Sequence, residues 1–170
     1  MFEDIEQYHS LIDRNRKRLE DFFAGTVAIT KTIEDTRQHL TDVITKFEKK
    51  AYFPLAVIEH KTNSIIGSIQ IKSIDWQVRK GELGYYIDEG YEGQGIITES
   101  IALIIDYGFN DLGFNKFYIR TYAGNIGSKR IAEKNGFLLE GNLRAEYKTT
   151  SGRLIDIMYY GLLNPNTLRD

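Results

Sequence analysis

The sequence predicts an α/β chain, a mixed sheet flanked by helices, and three stretches carry that prediction. Apolar runs on either side of His60, Lys61, Thr62, Asn63 and Ser64 mark a hairpin. A strand, a glycine loop, a helix and a second strand follow one another over residues 81–122, which requires a parallel pair joined by a right-handed crossover. Short strands after residue 136 give an antiparallel end. At 170 residues, with no stretch that reads as a linker, one domain over residues 1–170 is expected.

In chain order, Ile5, Tyr8, Ile12, Leu19 and Phe22 recur at helical spacing, so residues 5–23 form a helix with one charged face. A second helix is expected over 33–49, with Thr32 as N-cap, Glu34 and Asp35 in the first turn, and Leu40, Val43, Ile44 and Phe47 facing inward. Residues 52–59 and 65–74 are the hairpin strands. In the strand over 81–88, alternation puts Leu83, Tyr85 and Ile87 on one face and Glu82, Gly84 and Tyr86 on the other. Ile97, Ile101, Ile104, Ile105 and Phe109 line a helix over 96–112 that Gly113 stops. A strand over 114–122, a short helix over 126–135 ended by Gly136, and strands over 137–140, 146–149 and 155–161 complete the chain.

Composition narrows the function classes. Apolar residues make up 42% and only 2 residues are Pro, so the chain can bury a core and is not of disordered composition. The 22 Lys and Arg against 24 Asp and Glu leave a formal charge of −2, which argues against nucleic acid as a main partner. The absence of cysteine removes disulfides, thiolate nucleophiles and zinc-thiolate sites together. His9, His39 and His60 are scattered without metal-ligand spacing, so no metal is expected. No apolar run approaches the ~20 residues of a membrane span, and the start of the chain is acidic and polar. A cytoplasmic protein with no membrane partner is the expectation.

The loop between the strand over 81–88 and the next helix holds the clearest chemistry. Free N–H groups at a helix start, with the positive end of the helix dipole, make a phosphate site, and Gly93 and Gly95 let that backbone approach a ligand closely. A turn with no ligand would use the same glycines. There is no Lys-Ser/Thr pair for a P-loop, Thr98 stands where a dinucleotide fingerprint needs its third Gly, and a hairpin precedes the loop where a Rossmann repeat needs a crossover.

The run Gly84-Tyr85-Tyr86-Ile87, then Glu92-Gly93-Gln94-Gly95-Ile96-Ile97-Thr98-Glu99, Asn125-Ile126-Gly127-Ser128, Glu133-Lys134-Asn135-Gly136-Phe137 and Glu140-Gly141, resembles the GNAT-type N-acetyltransferases. More narrowly it resembles their RimJ/RimL-like branch, which acetylates protein N-terminal amines, ribosomal proteins among them. The resemblance covers residues 52–163 in order. It implies a twisted mixed sheet of about six or seven strands, with acetyl-coenzyme A bound where two central parallel strands part. On it, Gly93, Gln94, Gly95, Ile96, Ile97 and Thr98 form the phosphate loop. Two positions depart from the family's pattern: Glu92 stands where Gln or Arg is usual, and Ile97 where a small residue is usual. A carboxylate beside a diphosphate is unfavourable, so Glu92 is expected to face solvent. Only residues 1–4 precede the first helix, so the strand that usually opens the family's fold is short or missing, and an uncovered sheet edge invites a homodimer.

Acetyl transfer to an amine needs a base for the amine's proton, polarisation of the thioester carbonyl, and an acid for the leaving thiolate. It needs no covalent nucleophile, which suits a chain without cysteine. The resemblance assigns carbonyl polarisation to backbone N–H groups at Tyr86, Ile87 and Asp88. The family's usual tyrosine acid maps to Ala132, which cannot act. Ser128, one turn earlier on the same helical face, takes the role in the RimL-like branch, and Asn125 matches the asparagine that holds the pantetheine arm. On residue type alone, the simpler reading is that Asn125 caps the helix and Ser128 is a first-turn residue, and it is the resemblance that favours the site roles. Two carboxylates compete as base: Glu146, in an Ala-Glu-Tyr segment like that of the RimL-like branch, and Glu82, on the strand that carries the base in the wider family. Glu146 is the preferred reading. The acceptor is expected to be a protein N-terminus, with antibiotic amines, polyamines or a non-enzymatic acyl-coenzyme A sensor as alternatives.

Overall fold

The computed structural model describes residues 2–167, with side chains from residue 4 onward. Its elements are α1 (Phe2–Leu19), α2 (Ala24–Ala28), α3 (Ile33–Glu48), β1 (Phe53–Glu59), β2 (Ser64–Asp75), β3 (Lys80–Ile87), a short 3-10 turn (Glu89–Tyr91), α4 (Ile96–Asn110), β4 (Lys116–Thr121), α5 (Ile126–Lys134), β5 (Leu138–Lys148) and β6 (Leu154–Leu163). The strands form one six-stranded sheet in the order β1-β2-β3-β4-β6-β5. Every neighbouring pair is antiparallel except β3 with β4, as the crossover requires. Among the described residues no strand precedes α1, and no helix is long and apolar enough to cross a membrane.

Strand alternation explains the two apolar layers. Leu83 of β3 joins Ile69, Ile71, Phe117 and Ile119 in a core beneath Ile97 and Ile101 of α4 and Ala132 of α5. Tyr86, on the opposite face of β3, packs with Ile65 against Leu11, Ile12 and Leu19 of α1. Thr32 caps α3 as expected, in a capping box: its hydroxyl accepts from the Asp35 N–H while the Asp35 carboxylate accepts from the Thr32 N–H.

Three expectations are corrected. The first helix stops at Leu19, because Phe22 and Phe23 find aromatic partners on the sheet: Phe22 stacks on Tyr122 at 4.7 Å and on Tyr147 at 5.7 Å, and Phe23 meets Tyr86 edge-on at 4.9 Å. Ile44 does not face inward and is 47% exposed, since α3 approaches α1 along a narrower stripe of Thr36 and Val43, whereas the half-exposed Phe47 turns its ring edge-on to the buried Phe53 at 5.6 Å. Strands expected over 137–140 and 146–149 form one strand, β5, whose pairing with β6 is interrupted between Leu139 and Gly141 and between Leu143 and Tyr147. In the second interruption Ala145 sits at φ 52° and donates its N–H to the Asp156 carboxylate at 2.9 Å, so an irregular stretch mimics a loop in the sequence pattern.

Candidate active site

The parallel strands pair only through Lys80, Gly81 and Glu82 of β3. Beyond Glu82 they part, and the opening leads into a cleft of about 720 Å³ bounded by the glycine loop, the start of α5 and the turn after α1. Gly93 and Gly95 have φ values of 72° and 80°, the left-handed region that side chains resist. A Cβ at either position would meet no protein atom within 4 Å, so open space lies over both. Gly95 is the N-cap of α4 and makes no side-chain cap, so the N–H groups of Ile96, Ile97 and Thr98 have no intrahelical acceptor. These donors at the cleft wall fit a diphosphate, as in the acetyl-coenzyme A that the resemblance implies. Gln94 turns back instead, its Nε2 donating to the Gly90 carbonyl at 3.1 Å.

Glu92 does not simply face solvent. Its carboxylate pairs with Arg18 of α1, and one turn earlier Arg14 pairs with Asp88. Between them Asn15 Oδ1 accepts from the Glu89 N–H at 3.2 Å and from Arg18 Nη1 at 2.7 Å. Burial opposes the Asp88 charge, but Arg14 and the Gly90 N–H outweigh it and hold the carboxyl below its ordinary range. Helix α1 thus clasps the loop from Asp88 to Glu92, a relation the sequence hints at only through the matching four-residue spacings of Arg14 and Arg18 and of Asp88 and Glu92.

At the gap, the buried Ser128 hydroxyl lies 2.7 Å from the Tyr85 hydroxyl. Burial pushes Tyr85 up to about 12, with the Ser128 contact pulling it partly back, so this phenol is neutral at ordinary pH. Asn125 does cap α5: its Oδ1 accepts from the Ser128 N–H at 2.9 Å, which leaves the amide nitrogen as a donor at the cleft wall. The Asp88 N–H is committed to the Ile66 carbonyl at 2.8 Å. By strand alternation Tyr86 shares that edge and Ile87 faces the gap, so of the three expected polarising amides the geometry suits only Ile87.

The two expected bases lie on the α1 face of the sheet, across from Ser128. Glu82 is 4% exposed and held by Arg120 at 3.1 Å, Lys72 at 3.4 Å and the Ser73 hydroxyl at 3.3 Å. Burial works against the Arg120 charge, but the Glu82 carboxylate more than offsets it and holds the guanidinium firmly protonated. Arg120 also lies over the Tyr159 ring, 5.9 Å from its centroid, and the Tyr159 hydroxyl donates to the exposed Glu146 at 3.4 Å. Glu82 and Glu146 therefore belong to one polar chain running across the sheet through Arg120 and Tyr159. A third carboxylate, Asp21, borders the cleft itself and accepts from the Thr150 hydroxyl at 2.7 Å. Sequence reading passes over Asp21 because it falls in a helix expected to run on to residue 23. Among the described residues no group of three or more His, Cys, Asp or Glu side chains could hold a metal ion.

Comparison with known proteins places these features in context. Residues 2–138 match the family model described as an acetyltransferase (GNAT) domain. The Bacillus subtilis (strain 168) protein named "Putative ribosomal N-acetyltransferase YdaF" is 33% identical over 165 residues, 94% of this chain and 86% of its own length. The ribosomal-protein-serine acetyltransferase of Escherichia coli (strain K12) is 27% identical over 140 residues, 82% of this chain and 76% of its own. Among solved structures, the ribosomal L7/L12 alpha-N-protein acetyltransferase RimL in complex with coenzyme A superposes with a TM-score of 0.86 at 21% identity, covering 96% of this chain and 89% of that one, which is a likeness of fold.

Proposed function

The chain belongs to the acetyltransferase (GNAT) domain family, an acetyl-coenzyme A dependent group of enzymes, and from that premise we propose that it acetylates the N-terminal amine of a protein, of the ribosomal-protein kind, by direct attack in a ternary complex. The observation that carries the site assignment is the uncapped start of α4 on the same cleft as the Ser128 hydroxyl. Acetyl-coenzyme A supplies a thioester whose C–S bond breaks as the amine forms its amide. The N–H groups of Ile96, Ile97 and Thr98 hold the diphosphate, and Asn125 holds the pantetheine arm. The Ile87 N–H polarises the carbonyl, as a fixed dipole in a partly dry cleft does best. Ser128 gives the leaving sulfur a proton. Glu146 takes the amine's proton, with Glu82 as the reserve. The names of the relatives support a protein acceptor. Edge strand β5, with Leu138 and Leu143 exposed, supports association into a homodimer.

Thiol release on mixing the protein with acetyl-coenzyme A and a panel of N-terminal peptides, polyamines and aminoglycosides tests the reading. Turnover confined to the peptides is expected. Turnover on polyamines or aminoglycosides alone would replace the acceptor class, and cofactor binding without turnover on any amine would make the protein a sensor.

A further inference from the structure

Glu92 puts a negative charge at the mouth of a loop built to receive an anion, and the structure answers it from another element. Arg18 of α1 borders the same cleft as Gly93, Gly95 and the free α4 amides. Its Nη2 meets Glu92 and its Nη1 meets Asn15 Oδ1, so the guanidinium fork keeps donors to spare. The pair is well solvated, with side chains 34% and 53% exposed, and an ion pair of that kind holds its partners weakly. A diphosphate carries more charge than one carboxylate and matches the planar fork, so an Arg exchanges readily from the first to the second. Arg130 and Lys134 also border the cleft, from α5.

We infer that Arg18 is a cofactor-binding residue, which pairs with Glu92 as seen here and donates to the diphosphate when acetyl-coenzyme A enters. The inference rests on the reading that this cleft takes acetyl-coenzyme A, and it adds a contact from α1 to those of the glycine loop. Arg18 is then more than the counter-ion of Glu92, and that difference is measurable.

Calorimetric titration of coenzyme A into the wild type, Arg18→Gln, Glu92→Gln and the double variant, at low salt, separates the two roles. Glu92→Gln should bind as tightly as wild type or tighter, and Arg18→Gln about 10-fold more weakly. The double variant should bind about 10-fold more weakly than Glu92→Gln, with a shallower loss of affinity as salt rises. A double variant that binds as tightly as Glu92→Gln, with the same salt response, would show that Arg18 only neutralises Glu92 and would overturn the inference alone. Failure of the wild type to bind coenzyme A would overturn the cofactor reading together with it. Melting of each variant without ligand checks that the loop remains folded, and both side chains are exposed enough for that to be expected.

Discussion

Tyr85 of β3 and Ser128 of α5 face each other where β3 parts from β4, hydroxyl to hydroxyl at 2.7 Å. A serine hydroxyl is a weak acid, and one backed by a neutral phenol can be re-supplied with a proton as it gives its own away. Tyr85 is suited to that because burial keeps it protonated up to about 12. The pair also fixes which way the Ser128 hydroxyl points, since the Asn125 cap holds the backbone beneath it.

Ser128→Ala should therefore lower kcat by roughly 10- to 100-fold, the usual scale for a general acid, while the acetyl-coenzyme A affinity changes little. Tyr85→Phe should lower kcat by a smaller factor, about 3- to 10-fold, and should add nothing in the Ser128→Ala background. Steady-state kinetics on the three variants check this. Independent losses that multiply in the double variant would mean that the two hydroxyls do not act as a unit.

Gly95→Val tests the loop. The backbone there is left-handed, so a branched residue costs about 1–3 kcal/mol of strain, and its side chain projects into the space over the α4 amides. The fold should survive with a lower melting temperature, and acetyl-coenzyme A should no longer raise that temperature. A thermal shift equal to that of the wild type would locate the cofactor elsewhere.

The alkaline limit of stability should come from buried tyrosines. Burial raises the pKa values of Tyr8, Tyr52, Tyr85 and Tyr86 above the ordinary 10.0, Tyr85 to about 12. A raised value means that the folded chain holds the proton more tightly than the unfolded one. The stabilisation is complete below pH 10 and is lost as pH rises toward 12 and beyond. Urea unfolding from pH 9 to 12 should show a falling midpoint, and Tyr85→Phe should make the fall shallower by up to one proton. A stability that is flat above pH 10 would contradict the burial of these phenols.

Much of this was legible in the sequence because local and long-range signals agree there. The parallel pair, the glycine loop and the Thr32 cap follow from periodicity, glycine positions and cap chemistry that tertiary contacts reinforce, while Ser128 is singled out by the family resemblance. The misreadings fall where a side chain is claimed from afar. Phe22 has helical spacing but leaves the helix for Tyr122 and Tyr147, and Arg18 looks like any residue of a solvated face until α1 is laid beside Glu92. Tyr85 shares its alternation with core residues, and only the parting of β3 from β4 turns its hydroxyl into part of a site.

The assignment of the base is settled by comparing Glu146→Gln with Glu82→Gln. Glu146 is exposed and accepts a single long hydrogen bond from Tyr159, so its neutral isostere should leave stability within about 0.5 kcal/mol. Glu82 is buried between Arg120 and Lys72; removing its charge strands two cations, though both are partly solvated, and should cost on the order of 1–3 kcal/mol. The kinetic expectation runs the other way. A peptide amine has a pKa of about 7.7–8.0, so at pH 7 most of it carries a proton that a base must take, and at pH 9 little of it does. Glu146→Gln should therefore lower kcat/KM for the acceptor by roughly 10- to 100-fold at pH 7, with the deficit shrinking as pH rises to 9, below the range where the tyrosines ionise. Glu82→Gln, assayed well below its reduced melting temperature, should show a smaller loss with no such pH dependence. If Glu82→Gln carries the pH-dependent deficit instead, the proton leaves along the Arg120 side of the sheet and Glu146 is only its neighbour. If neither variant does, water accepts the proton, and catalysis rests on holding the amine against the thioester.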